Sequence, residues 1–155
     1  MAIVHGAPEE KEFELEAKIA PHPEREEMMR VDSRFGKKSR TTFKIIEEFR
    51  GWTLVQCFPQ PDRPHQVRLH LKYKRLPVTG DPIYPGGPLR LSSIKPNFRL
   101  KPHDAERPLM NRPAVHLEEL AFQHPLTEIR VAIQAALPKD MAVALKYLRK
   151  YAARG

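Results

Sequence analysis

The chain has 155 residues and a mass of 17.9 kDa, which suits one domain, and a hydrophobic fraction of 41% allows one modest core. It holds no apolar run of 18 or more residues, which excludes a helical membrane span, and its lone cysteine, Cys57, excludes an internal disulfide or a Cys-rich zinc knuckle and suits a reducing cytoplasm. The net charge of +8 is uneven: residues 1–33 carry 9 acids and 4 bases (net −5), and residues 34–155 carry 10 acids and 23 bases (net +13), a basic body that suits polyphosphate partners and equally suits a solvated basic surface.

In chain order, the opening Met1–Gly6 is too short and lacks the basic flank of a signal peptide. Residues 7–33 are acidic and poorly periodic, and the expectation is an extended arm or loop. The basic run Arg34, Lys37, Lys38, Arg40 and Lys44 follows. Thr41–Phe49 and Trp52–Phe58 are rich in β-branched and aromatic residues around Arg50-Gly51, which predicts a β-hairpin. In 65–73 the apolar residues alternate at 67, 69, 71 and 73, a strand period, yet Val67/Leu71 and Leu69/Tyr73 also fit a helix, and the pattern leaves both open. Residues 77–113, dense in Pro, Gly, Ser and Asn, read as a long irregular excursion of the kind that carries function. Val115–Phe122 and Glu128–Ala135 read as a second strand pair around His124-Pro125. A helix starts at Pro138, with Met141, Ala144, Leu145, Leu148 and Ala152 on one side.

Seven histidines raise a metal site, but the spacing argues against one. His65 and His70 lie five apart, on different faces of a helix and on opposite faces of a strand. Cys57 has no neighbouring base and reads as a buried structural thiol. No phosphate-binding glycine loop and no serine elbow occurs. The densest polar cluster is Asp62-Arg63-Pro64-His65-Gln66-Val67-Arg68-Leu69-His70. Arginine offers a planar fork of donors to phosphate or carboxylate, and Gln and His can read a base edge, so the cluster points to an anionic ligand.

This cluster resembles the Gly-Arg-Thr-His-Gln-Ile-Arg-Val-His-Leu signature of the RluA-type RNA pseudouridine synthases. Leu76-Pro77-Val78-Thr79-Gly80-Asp81-Pro82-Ile83-Tyr84 resembles the family's continuation into Gly-Asp-x-x-Tyr. Arg112-Pro113-Ala114-Val115-His116-Leu117, Leu120-Ala121-Phe122-Gln123-His124-Pro125 and Leu137-Pro138-Lys139-Asp140-Met141 resemble its later stretches. Ala2-Ile3-Val4-His5-Gly6 is similar to the strand after its second motif, so the likeness covers nearly the whole chain. Two departures stand out. The family's His-Arg-Leu-Asp-x-x-Thr-Ser-Gly segment with the catalytic aspartate is not found within residues 1–155, and the tyrosine of its second motif would fall before Met1. Its Thr-Gly before the first arginine is Pro61-Asp62 here, which puts the pose of Arg63 in question.

The resemblance implies an α+β fold, a mostly antiparallel β-sheet with flanking helices, forming a single partial catalytic domain over 1–155 and making 65–73 helical. It implies isomerisation of uridine to pseudouridine in rRNA or tRNA, in the cytoplasm, with no cofactor, metal or membrane. It gives Arg68 the catalytic role of pairing with the aspartate, and places Arg63, His65 and Gln66 beside the flipped nucleotide. A missing N-terminal segment would carry that aspartate, and the 155 residues alone would be inactive. The alternative expectation is a catalytically inactive RNA-binding module.

Overall fold

In the computed structural model, which describes residues 1–154, the chain forms a five-stranded antiparallel sheet, a separate two-stranded sheet and two helices. The strands of the main sheet are β1 (Ala2–His5), β2 (Glu12–Pro21), β3 (Met29–Val31), β4 (Lys37–Phe49) and β5 (Trp52–Gln60), in the spatial order β1-β5-β4-β2-β3. The helices are α1 (Gln66–Tyr73) and α2 (Lys139–Tyr151), and β6 (Glu119–Gln123) pairs with β7 (Arg130–Gln134). The fold class is the α+β arrangement expected from the sequence.

The predicted hairpin is β4–β5. Phe49 opposes Trp52, and Gly51 turns the chain with φ +84°, a left-handed conformation that glycine adopts without Cβ strain. A bulge between Ile45 and Glu47 shifts the register. Residues 7–33, expected as an arm or loop, contain β2 and β3. Phe13, Leu15, Ala17 and Ile19 turn to one face of the sheet, with Glu12, Glu14, Glu16 and Lys18 on the other. Those acids oppose the basic run of β4. Lys44 lies 3.6 Å from Glu12, and Arg40 lies 3.8 Å from both Glu14 and Glu16. Three acids of the acidic stretch thus face two bases of the basic run across this strand pair.

The main core joins the sheet to α2 and the irregular segment: Ile3, Val4, Phe43, Phe49 and Val55 meet Met141, Ala144, Leu145 and Leu148, with Val78 and Leu89 from the excursion and Ala114 just after it. α2 buries Met141, Ala144, Leu145 and Leu148 of the predicted stripe, with Ala152 at its C-cap, while Arg149 on the helix pairs with Glu47 and Arg154, past its end, pairs with Glu48. A smaller cluster of Ile19, Leu69 and Tyr84 packs α1 onto the β2–β3 end of the sheet. The second strand pair is shorter than expected, because Val115 bridges Ala2 at the rim of the main sheet and regular pairing starts only at Glu119. None of the described helices is long and apolar enough to cross a membrane.

Candidate active-site cleft

α1 starts abruptly. His65, its N-cap, has φ +57°, and the chain before it runs through Pro61 and Pro64, so the helix begins where the strand β5 has just ended. Its buried residues are Gln66, Leu69, His70 and Leu71, and two of these are polar.

Both buried polar side chains are wired into β4. Gln66 is 1% exposed and donates through Nε2 to the Arg40 carbonyl (2.9 Å) and to Thr41 Oγ1 (3.1 Å). His70 lies between Thr41 Oγ1 (2.9 Å from Nδ1) and Ser39 Oγ (3.1 Å from Nε2), and Ser39 in turn donates to the Ala17 carbonyl (2.7 Å). Counting donors fixes the directions. Ser39 has spent its proton, so His70 Nε2–H donates to it, and Thr41 O–H donates to a bare Nδ1. That chain needs a neutral imidazole, and burial pushes His70 down to about 4. His70 is a structural tie between α1 and the sheet.

The remaining polar residues of the cluster line a cleft of about 430 Å³ between the end of β5, the first turn of α1, Met1 and the 115–119 segment. Arg63, His65, Gln66 and Arg68 all contribute to its wall, so the four site residues named from the sequence are brought together. Arg63, whose pose the altered preceding residues put in question, is held by Nε donating to the Lys38 carbonyl at 2.9 Å. His65 Nδ1 lies 3.1 Å from the Tyr84 hydroxyl, which accepts from Met29 N (2.8 Å) and donates to the Met29 carbonyl (3.1 Å). His65 therefore donates from Nδ1 and keeps Nε2 as an acceptor. Burial and the Arg68 charge hold it below its ordinary pKa, so it is neutral near pH 7.

Arg68 supplies the tightest contact. Its Nε and Nη2 donate to Asp81 Oδ2 and Oδ1, both at 2.7 Å, with the carboxylate fully buried and the guanidinium side chain 15% exposed. The Asp81 carboxylate also accepts from Ile83 N and Tyr84 N, and the Tyr84 ring lies 5.0 Å from Arg68 Cζ. Burial alone would push Asp81 up, but these four donors outweigh it and hold its pKa below the usual carboxylate value. The sequence expectation put Arg68 beside a carboxylate from outside the chain. The side-on edge of the guanidinium is instead occupied by the chain's own Asp81, and Nη1 has no partner among the described residues.

Asp81 and Tyr84 are the site residues that sequence reasoning passed over. They stand in the Gly80–Tyr84 stretch already quoted for its resemblance, but nothing in their spacing shows that the loop folds back onto α1. Cys57 lines the same cleft, and burial pushes its thiol up to about 12, as a structural cysteine should behave. Among the described residues no group of three or more His, Cys, Asp or Glu side chains converges as a metal-binding set.

Two solved human proteins share the fold. RNA Pseudouridylate Synthase Domain Containing 1 superposes with a TM-score of 0.61 at 17% identity, covering 99% of this chain and 66% of that one. RNA Pseudouridylate Synthase Domain Containing 4 gives a TM-score of 0.63 at 19% identity, with 96% and 60% covered. The architecture is that of a pseudouridylate synthase domain, in part. In sequence, residues 1–73 match the family described as RNA pseudouridylate synthase. The chain is 34% identical over 149 residues to the uncharacterized RNA pseudouridine synthase YlyB of Bacillus subtilis, covering 96% of this chain and 43% of the relative. It is 35% identical over 136 residues to the ribosomal large subunit pseudouridine synthase D of Xylella fastidiosa, covering 88% and 39%. The chain is similar to RNA pseudouridine synthases over most of its length, and it spans about two fifths of the length of these curated relatives.

Proposed function

We propose that the chain forms the arginine side of the active site of an RNA pseudouridine synthase acting on uridine in rRNA or tRNA in the cytoplasm. In that reaction the N1–C1′ bond of the uridine breaks, the uracil turns, and C5 bonds to C1′ while the C5 proton is lost and N1 regains one. No cofactor is required. The target base has to leave its stack, which costs a few kcal/mol that contacts in the site must offset.

The observation that carries this reading is the gathering of Arg68, Arg63, His65 and Gln66 on one cleft, with Arg68 anchored and still offering unused donors. In this reading Arg68 pairs with the nucleophilic aspartate of a Leu-Asp segment lying outside residues 1–155, favouring its ionised form and fixing its direction. Arg63 meets a phosphate, and His65 and Gln66 face the flipped nucleotide. Gln66 Oε1 is buried and has no partner among the described residues.

The test uses transcripts labelled with tritium at uridine C5. The 155 residues alone should release no tritium but should bind the RNA, with log K falling linearly in log salt. A longer protein carrying the Leu-Asp segment should release it, and Arg68→Ala should reduce turnover far more than Lys150→Ala. Equal effects of the two substitutions would reject the role of Arg68. Tritium release by the 155 residues would reject the need for the outside carboxylate. Binding without catalysis in the longer protein would favour the second reading, an inactive RNA-binding module.

A further inference from the structure

A guanidinium carries five N–H donors arranged on distinct edges. In Arg68 the side-on edge, Nε with Nη2, is filled by Asp81 at 2.7 Å on both bonds. The end-on edge, Nη1 with the second Nη2 hydrogen, has no partner among the described residues, and Arg68 lines the cleft. The clamp is itself rigid. The Asp81 carboxylate is sealed from solvent and fixed by the backbone N–H groups of Ile83 and Tyr84, while Tyr84 covers the guanidinium and is pinned by Met29 on both sides of its hydroxyl.

We propose that Asp81 is a positioning residue that clamps the side-on edge of Arg68, so that an oxyanion in the cleft is met by the end-on edge of a guanidinium whose charge is already compensated. Arg68 then acts through direction more than through net charge. The oxyanion can be a carboxylate or a phosphate, which share this recognition chemistry. The inference rests on the reading that the cleft is the reaction site, but the clamp can be measured without it.

The experiment follows the Arg68 Nε–H resonance in ¹⁵N-labelled protein, assigned by its loss in Arg68→Lys. In the wild-type chain it should be resolved and slow to exchange with water. In Asp81→Asn it should merge with the rapidly exchanging arginines, and Asp81→Glu should restore part of the protection. A rapidly exchanging Arg68 in the folded wild-type chain would overturn the clamp, and this measurement stands even where Asp81→Asn fails to fold. Titration with acetate and with inorganic phosphate then asks which oxyanion the free edge takes. A response of the Arg68 side-chain resonances to either, lost in folded Asp81→Asn or reduced in Asp81→Glu, supports the proposal and identifies the source. No response to either anion, or an undiminished one in both variants, overturns it. A wild-type chain with a protected, anion-responsive Arg68 that binds no RNA would refute the function proposed above and leave the clamp standing.

Discussion

Arg112 grips Asp140 with two bonds of 2.8 Å, Nε to Oδ2 and Nη2 to Oδ1, and so ties the end of the long excursion to the first turn of α2. Its Nη1 also donates to the carbonyls of Pro113 and Val115, so one side chain fixes its own 112–115 stretch and holds it against α2. Asp140 lies in the first helical turn, where a negative charge suits the helix dipole, and the Arg112 bond holds its pKa down despite partial burial. Both side chains are more than a third exposed or close to it, so solvent screening limits the pair. Arg112→Ala should cost about 1–2 kcal/mol in urea denaturation, mostly through the two orphaned carbonyls and the lost fork. Arg112→Lys should recover little of it, because a single ammonium cannot span the carboxylate and both carbonyls. Full recovery by lysine would show that charge alone matters there.

His70 should make stability depend on pH. Its folded-state pKa is depressed to about 4 by burial, against an unfolded value near 6.5. A histidine held neutral in the fold contributes stability above its unfolded pKa, and that contribution is lost as pH falls from about 6.5 toward 4, because the unfolded chain then binds the extra proton. The loss should reach roughly 3 kcal/mol across the window. His70→Gln should be less stable than wild type at pH 7.5, and the gap should shrink at pH 5. A gap independent of pH would mean that His70 is not held neutral by the Ser39–Thr41 bracket.

The contrast between β2 and α1 shows what the sequence displayed and what it hid. In β2 the strand period was present, with Phe13, Leu15, Ala17 and Ile19 on one side, but the acids between them make the segment look solvated. Those acids are the partners of a basic strand, and only the pairing register reveals that. In α1 the difficulty was the reverse. The buried helical stripe includes Gln66 and His70, and counting apolar residues alone leaves strand and helix undecided. The helix came through family resemblance, as did the four residues of the cleft wall. Asp81 escaped both routes, because its role depends on a thirteen-residue return of the chain onto α1.

Basic residues should not contribute equally to RNA binding. Arg40 is flanked by Glu14 and Glu16 on the outer face of the sheet, whereas Arg63 stands on the cleft wall, tethered only through Nε to a carbonyl. An arginine that reaches a phosphate releases about one counterion, so Arg63→Ala should lower the magnitude of the salt slope by about 1. Arg40→Ala should leave both slope and affinity nearly unchanged. An Arg40→Ala loss as large as that of Arg63→Ala would place the RNA on the opposite face of the sheet.

The clamp on Arg68 depends on how closely the 78–87 loop closes on itself. Gly80 N donates to the Gly87 carbonyl at 3.0 Å, and Asp81 N to the Val78 carbonyl at 3.3 Å. Gly86 passes so close to Val78 that an added Cβ would lie 1.7 Å from its carbonyl oxygen, a backbone atom with nowhere to move. Gly87, one residue on, would meet only ring atoms of His5 at 3.9 Å or more, an ordinary contact. Gly86→Ala should therefore destabilise the chain by roughly 3 kcal/mol or more, while Gly87→Ala should stay within about 1 kcal/mol. Opening the loop would also carry Asp81 and Tyr84 off α1, so in any folded fraction of Gly86→Ala the Arg68 Nε–H should lose its protection. Comparable melting of the two variants would show that the loop accommodates a side chain at 86, and that its closure does not set the position of Asp81.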